Sequence, residues 1–174
     1  MNEFTAPERT RMVSWDDPLI GARAAPRMSG LEYLRAMERG ELPAPPIMML
    51  LNIAFETAEE GRVVFSVEPA EYHYNPIGMV HGGLASTLCD SAMGCAIHST
   101  LPAGVGYTTL ELKINFVRPL TVATGLVLCE GNAINVGSRI GIAEARVTDR
   151  AGKLYAHATT TCLIMRPAVA TEHS

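Results

Sequence analysis

Asn75-Pro76-Ile77-Gly78-Met79-Val80-His81-Gly82-Gly83 runs without a break into Leu84-Ala85-Ser86-Thr87-Leu88-Cys89-Asp90, and the rest of the chain is organised around this passage. Pro76, Gly78, Gly82 and Gly83 favour turns or lack bulk. After them apolar residues recur at helical spacing: Leu84, Leu88, Ala92, then Cys95 and Ala96. The pattern predicts a loop opening the one long helix of the chain, over about 81–100. The first N–H groups of a helix lack internal partners and sit at the positive end of its dipole, so glycines there admit a partly negative ligand oxygen. An isolated His-Gly-Gly is explained at least as well by a turn before a core helix. Asp90 tips the balance, because it puts a charge among Leu88, Cys89, Ala92 and Met93.

Working outward, residues 47–56 and 62–68 read as a hairpin turning at Glu59-Glu60-Gly61, with Val63, Phe65 and Val67 alternating against Arg62, Ser66 and Glu68. Beyond the helix come four more strand-like runs, 107–117, 124–135, 139–148 and 153–166. They are separated by Arg118-Pro119, Val136-Gly137-Ser138 and Asp149-Arg150-Ala151-Gly152. The order ββαββββ predicts an α+β domain, one antiparallel sheet curved around one helix. Towards the N-terminus, residues 1–28 read as an irregular arm. Ser29-Gly30-Leu31-Glu32 has the capping-box form and starts a short helix over 30–39, with Gly40 as its stop. The cluster Pro43-Ala44-Pro45-Pro46 sets the expected division: an arm at 1–45, the main domain at 46–167 and a tail at 168–174.

The composition narrows the function. A net charge of -4 without a basic run argues against a nucleic-acid partner, since phosphate contacts need clustered Lys and Arg. The 48% hydrophobic and 18% charged shares suit a folded domain and hint at self-association. Met1-Asn2-Glu3-Phe4-Thr5 lacks the features of a secretory signal, so a cytoplasmic location is expected. The longest apolar run, 47–55, is broken by Asn52 and falls short of the ~20 residues of a membrane span. Cys89, Cys95, Cys129 and Cys162 have no C-x-x-C spacing and read as reduced, buried thiols, with no metal site expected.

Asn75-Pro76-Ile77-Gly78-x-x-His81-Gly82-Gly83 with Asp90 at a fixed distance, then Leu110-Glu111-Leu112-Lys113-Ile114-Asn115-Phe116-x-Arg118-Pro119, resembles the PaaI-type acyl-CoA thioesterases of the hotdog fold. The similarity covers roughly 47–165. The resemblance implies a homodimer or dimer of dimers with sites at the two-fold interface, coenzyme A thioesters as substrates, and no metal or cofactor. It implies that Asp90 is the nucleophile or the general base for water, and that the Gly82 N–H with His81 polarises the carbonyl. It further implies that Asn75 positions substrate or water and that Thr109 is the polar residue of the next strand. Gly83, Arg118, Ser138 and Arg139 are the remaining candidates for substrate contacts, with Arg139 in a turn where many relatives carry a basic residue for the nucleotide. The first 45 or so residues lie outside the resemblance.

Thioester hydrolysis needs an oxyanion donor, a source of nucleophile and an acyl pocket. Gly83 and Asp90, seven residues apart, share nearly one helix face but stand ~10 Å apart along the axis. A reacting carbon must lie within about 3–3.5 Å of the nucleophile while its oxygen meets the donors. The spacing therefore predicts that Asp90 works with the helix start of a two-fold partner. Among the other residues, His98 reads as surface near the helix end, His73 as a solvated loop residue or part of the pocket mouth, and His157 as a packed strand residue beside Tyr155 and Thr159. Met48, Met49, Met79 and Met93 suggest either core or a yielding acyl pocket. Two other functions compete. An enoyl-CoA hydratase would need an Asp shortly before the His, where Asn75 stands. A non-catalytic acyl-CoA sensor would need an effector module, for which the arm is too small and too weakly basic.

Overall fold

A computed structural model describes residues 8–167; the expected tail at 168–174 lies outside the described residues. The elements in order are α1 (Leu19–Ala24), α2 (Gly30–Glu38), α3 (Pro46–Leu51), β1 (Ile53–Glu59), β2 (Arg62–Val67), α4 (Gly82–His98), β3 (Gly106–Phe116), β4 (Val127–Val136), β5 (Ile140–Asp149) and β6 (Leu154–Met165). All six strands form one antiparallel sheet in the order β1-β2-β4-β5-β6-β3. The sheet curves around α4, the hotdog architecture expected from the sequence.

The apolar periodicity of α4 becomes its buried face: Leu84, Ala85, Leu88, Cys89, Ala92, Met93, Ala96 and Ile97 all pack into the sheet. Glycines let the helix lie this close. A Cβ at Gly131 of β4 would run into the Ala92 carbonyl, and one at Gly141 of β5 would lie 2.9 Å from Ile97 Cγ2. The opposite stripe, including Gly83, Ser86, Thr87, Asp90, Ser91, Cys95 and His98, is only half-buried.

The capping box of α2 is present, with the Glu32 carboxylate accepting from Ser29 N–H at 2.9 Å and Ser29 Oγ accepting from Glu32 N–H at 3.3 Å. Gly30 N–H donates to the Leu101 carbonyl at 2.9 Å, and fully buried Leu34 joins the main core. Burying a Leu side chain is worth roughly 1.5–3 kcal/mol, so this contact holds α2 to the sheet and α4.

Two readings of the N-terminal third are corrected. The expected strand over 47–56 splits into α3 and β1, with Asn52 between them at φ 53°. Pro46 presets the first helical φ, the good helix formers Met48, Met49, Leu50 and Leu51 follow Ile47, and a left-handed Asn52 stops the helix; so short an apolar run has no decisive period. The arm is also less irregular than expected. Asp17 Oδ1 accepts the Leu19 N–H at 2.9 Å and opens α1, which ends in a 3-10 turn at Ala25–Arg27.

Candidate active site

The loop before α4 is fixed from within. Asn75 Oδ1 accepts from the N–H groups of Ile77 (3.0 Å) and Met79 (3.1 Å), while the Asn75 N–H donates to the Met79 carbonyl at 2.7 Å. Gly78 takes φ 83°, a conformation that glycine adopts without steric cost. Outward ties run from Val80 N–H to the Leu120 carbonyl (3.0 Å) and from His81 N–H to the His73 carbonyl (2.8 Å). His73 is buried rather than solvated. Its Nδ1 accepts the Ala70 N–H at 3.0 Å, so the proton sits on Nε2, which donates to the Leu51 carbonyl at 3.0 Å. Burial holds its pKa below the usual imidazole value.

His81 is the N-cap of α4. Its Nδ1 accepts the Gly83 N–H at 2.8 Å, which leaves the proton of the neutral ring on Nε2. Gly83 is thereby committed to its own cap. The Gly82 N–H, at the first helical position, has no acceptor within the helix. Both glycines answer a lack of space: a Cβ at Gly82 would stand 2.9 Å from Phe116 Cζ, and one at Gly83 would stand 2.8 Å from His81 Nδ1. A cleft of about 380 Å³ opens here, lined by Asn75, Met79, His81, Gly82, Phe116 and Arg118 among others. Arg118 is anchored by Nη1 donating to the Leu154 carbonyl at 2.6 Å.

Asp90 lies on the same helix, half-buried, and its Oδ1 accepts from Thr109 Oγ1 at 2.9 Å. A bulge in β3 between Thr109 and Glu111 changes the strand's alternation at that point. Nearby thiols are poor rivals as nucleophile. Burial pushes Cys95 up to about 12 and also raises Cys162, with the Asp90 charge adding to both.

The structure thus gathers the candidates into two groups. Asn75, His81, Gly82 and Arg118 line the cleft; Asp90 and Thr109 meet each other but do not line it. Asp90 stands eight positions after Gly82 on the helix, about 12 Å at the helical rise. Ser138 and Arg139 sit in the β4–β5 turn, where Ser138 O accepts from Arg166 Nε and Arg139 O from Ile164 N–H. Tyr155 lines the cleft at the other end of β6, roughly 30 Å along the strand from Ile164.

Other expectations change. His98 is no surface residue but packs between Tyr33 and Tyr107, with ring centroids at 5.6 and 5.3 Å, and burial lowers its pKa. Of the four methionines only Met79 lines this cleft; Met48 and Met93 are core and Met49 is exposed. His157 is a half-buried strand residue, 3.4 Å from Glu144. The four cysteines are free thiols, and among the described residues no cluster of three or more His, Cys, Asp or Glu could hold a metal. No helix among the described residues is long and apolar enough to cross a membrane.

Residues 77–156 match the family model described as Thioesterase superfamily. A Saccharolobus solfataricus protein provisionally named an esterase is 30% identical over 136 residues, 78% of this chain and 95% of that protein. The chain belongs to the thioesterase superfamily. Human acyl-coenzyme A thioesterase 13 is 27% identical over 114 residues, 65% of this chain and 80% of that protein. A solved Ralstonia eutropha structure, described as a phenylacetic acid degradation-related protein and provisional thioesterase, superposes with a TM-score of 0.68. It is 27% identical and covers 75% of this chain and 98% of its own. This thioesterase is a PaaI-type hotdog thioester hydrolase, and the matched segment runs from the loop through α4 to the start of β6.

Proposed function

We propose that this thioesterase hydrolyses a coenzyme A thioester to the free acid and CoA, at a site that two copies of the chain build together. The observation that carries the two-copy site is the ~12 Å between Gly82 and Asp90 on one continuous helix, too far for both to act on one carbonyl. A second observation favours pairing: β3 is an edge strand of 11 residues whose Leu110 and Phe116, with Val117 beyond, expose apolar surface that a second copy would cover.

The Gly82 N–H and the His81 Nε2–H of one copy would donate to the carbonyl oxygen, and Asp90 of the other would act on the carbon. As general base, Asp90 takes a proton from water, whose oxygen attacks while the carbonyl electrons move onto the oxygen facing the donors. Collapse of this adduct breaks the C–S bond, and the departing thiolate receives the proton. As nucleophile, Asp90 would attack the carbonyl carbon and the C–S bond would break, expelling the CoA thiolate and leaving an anhydride that water then opens to the free acid and the Asp90 carboxylate. Thr109 orients the carboxylate in either case. Asn75, with its oxygen committed to the loop, keeps its amide NH2 for the substrate. Ser138 and Arg139 would reach a substrate only from a neighbouring copy.

The test is complementation. Asp90→Asn and His81→Ala proteins are unfolded together, refolded as a mixture and assayed for thiol release on aryl, short and medium acyl-CoA thioesters. Random pairing gives one intact site in half the dimers, so activity should recover to about a quarter of wild type. Mixtures no better than their parents would rule out the shared site. Binding of acyl-CoA by the wild type without turnover on any thioester would favour the sensor reading.

A further inference from the structure

Beyond Arg118 the cleft continues into a second depression of about 350 Å³, which shares Arg118, Pro119 and Tyr155 with it and adds Thr121, Thr124 and Lys153. The two cations are brought together by strand pairing. Val117 and Arg118 both donate their N–H to the Tyr155 carbonyl, at 2.8 and 3.1 Å, which ties the end of β3 to the strand that follows Lys153. Lys153 Nζ lies 5.8 Å from the centroid of the Tyr155 ring, and one Arg118 N–H is spent on the Leu154 carbonyl. Four N–H groups of the guanidinium remain.

Neither cation is within ion-pair distance of a carboxylate among the described residues, although the Lys153 charge is one of the influences that lower the Asp149 pKa, after the backbone N–H of Lys153. Among the described residues most of the chain's cations likewise form no ion pair; what sets Arg118 and Lys153 apart is that they line one depression continuous with the cleft. The acid next to Lys153, Asp149, is turned to its own hairpin: it accepts from the N–H groups of Lys153 (3.0 Å) and Ala151 (2.9 Å) and from Tyr155 Oη (3.2 Å). Two cations outside any ion pair, at the outer end of a largely apolar cleft, suit a ligand that is anionic at one end and uncharged towards the reacting centre; the neighbouring Thr121 and Thr124 hydroxyls are engaged with each other at 3.4 Å, and Thr124 Oγ1 accepts the Thr121 N–H at 3.0 Å.

Taking the thioesterase reading as its basis, we propose that Arg118 and Lys153 hold phosphate groups at the nucleotide end of the coenzyme A thioester, while the uncharged pantetheine arm lies along the cleft towards His81 and Gly82. Lys153 is then a substrate-binding residue, and the pair sets a preference for CoA thioesters over thioesters of pantetheine alone.

The test compares one acyl group carried by CoA, by 3′-dephospho-CoA and by pantetheine, on wild type, Lys153→Ala and Lys153→Glu. In Lys153→Ala the ratio of kcat/KM on the CoA thioester to that on the pantetheine thioester should fall about fivefold, through KM, and in Lys153→Glu further. If most of the fall is already seen with the 3′-dephospho compound the diphosphate is the contact; if it disappears there, the 3′-phosphate is. An unchanged ratio in both variants overturns the proposal while leaving the hydrolase reading intact. Calorimetric titration with CoA and with pantetheine reads the same subsite without turnover. Equal affinity of the wild type for the two, or a Lys153→Glu protein that binds CoA as the wild type does, likewise overturns it. Loss of all thioester hydrolysis with that binding preference retained would sink the hydrolase reading alone.

Discussion

The first turn of α4 and its third turn are built on opposite plans. At the first turn the chemistry is uncharged: an open Gly82 N–H and an outward Nε2–H on His81, held by a loop whose backbone is bonded to Leu120, to His73 and, through Asn75, to itself. At the third turn the chemistry is one carboxylate, and its tie is one hydroxyl on an edge strand. The half proposed to donate to the carbonyl is therefore fixed by many contacts within one chain. The half proposed to carry the carboxylate rests on β3, whose outer edge has no strand partner among the described residues. A donor array works only if its geometry is set before the reaction, whereas a carboxylate contributes through its charge and tolerates some freedom of position.

Removing that charge should give the largest effect. Asp90→Asn keeps the shape and can still accept from Thr109, yet offers neither base nor nucleophile. Thiol release should fall about 1,000-fold with an unchanged melting temperature. Activity close to wild type would remove Asp90 from the mechanism. At the other turn two functions sit on one ring. His81→Ala loses both the cap on Gly83 and the outward donor, and should lower kcat about 100-fold and stability by about 1 kcal/mol. His81→Asn restores a capping oxygen without the same outward N–H, so it should regain stability and not activity. Recovery of both together would mean that His81 serves only as a cap.

Thr109→Val tests how loosely the carboxylate half is held. Loss of the hydroxyl frees Asp90 Oδ1 and should lower kcat roughly tenfold with little change in KM, while Thr109→Ser stays near wild type. A Val variant as inactive as Asp90→Asn would show that this half, too, depends on exact placement.

The difference between the turns also explains what could be read in the sequence. The loop and α4 were legible because their signals are local: four turn-forming or small residues, a glycine pair among them, and a 3.6-residue period within about 25 residues. The strands from β2 onwards announced themselves by alternation and by glycine or proline between them. α3 was not legible, because six residues carry no decisive period. Partnerships across the sheet were hidden as well. The family pattern supplied Thr109, but its bond to Asp90 spans 19 residues, and His73 is buried by a carbonyl 22 residues upstream. Lys153 reads in the sequence only as the first residue of the last strand-like run, since only the pairing of β3 with β6 brings it to Arg118.

The smallest expected effect concerns pH, and it falls on the donor half. His73 bridges the Ala70 N–H and the Leu51 carbonyl, an arrangement open only to the neutral ring, because a proton on Nδ1 would face an N–H. Its pKa is lowered in the fold by burial, with the Arg11 charge acting in the same direction; His98 is lowered by burial too. In the unfolded chain both titrate near 6.5. Below that value the unfolded state binds protons that the folded state refuses, so stability present at pH 7.5 declines as pH falls through about 6.5 towards the lower folded values. Melting temperature should drop between pH 7.5 and 5.5, and His73→Gln, which cannot protonate, should drop less. The His73 carbonyl holds the His81 N–H, so slackening there loosens the donor turn before it touches Asp90. A wild-type profile that is flat over this range, or one as steep in His73→Gln, would detach His73 from the support of the loop.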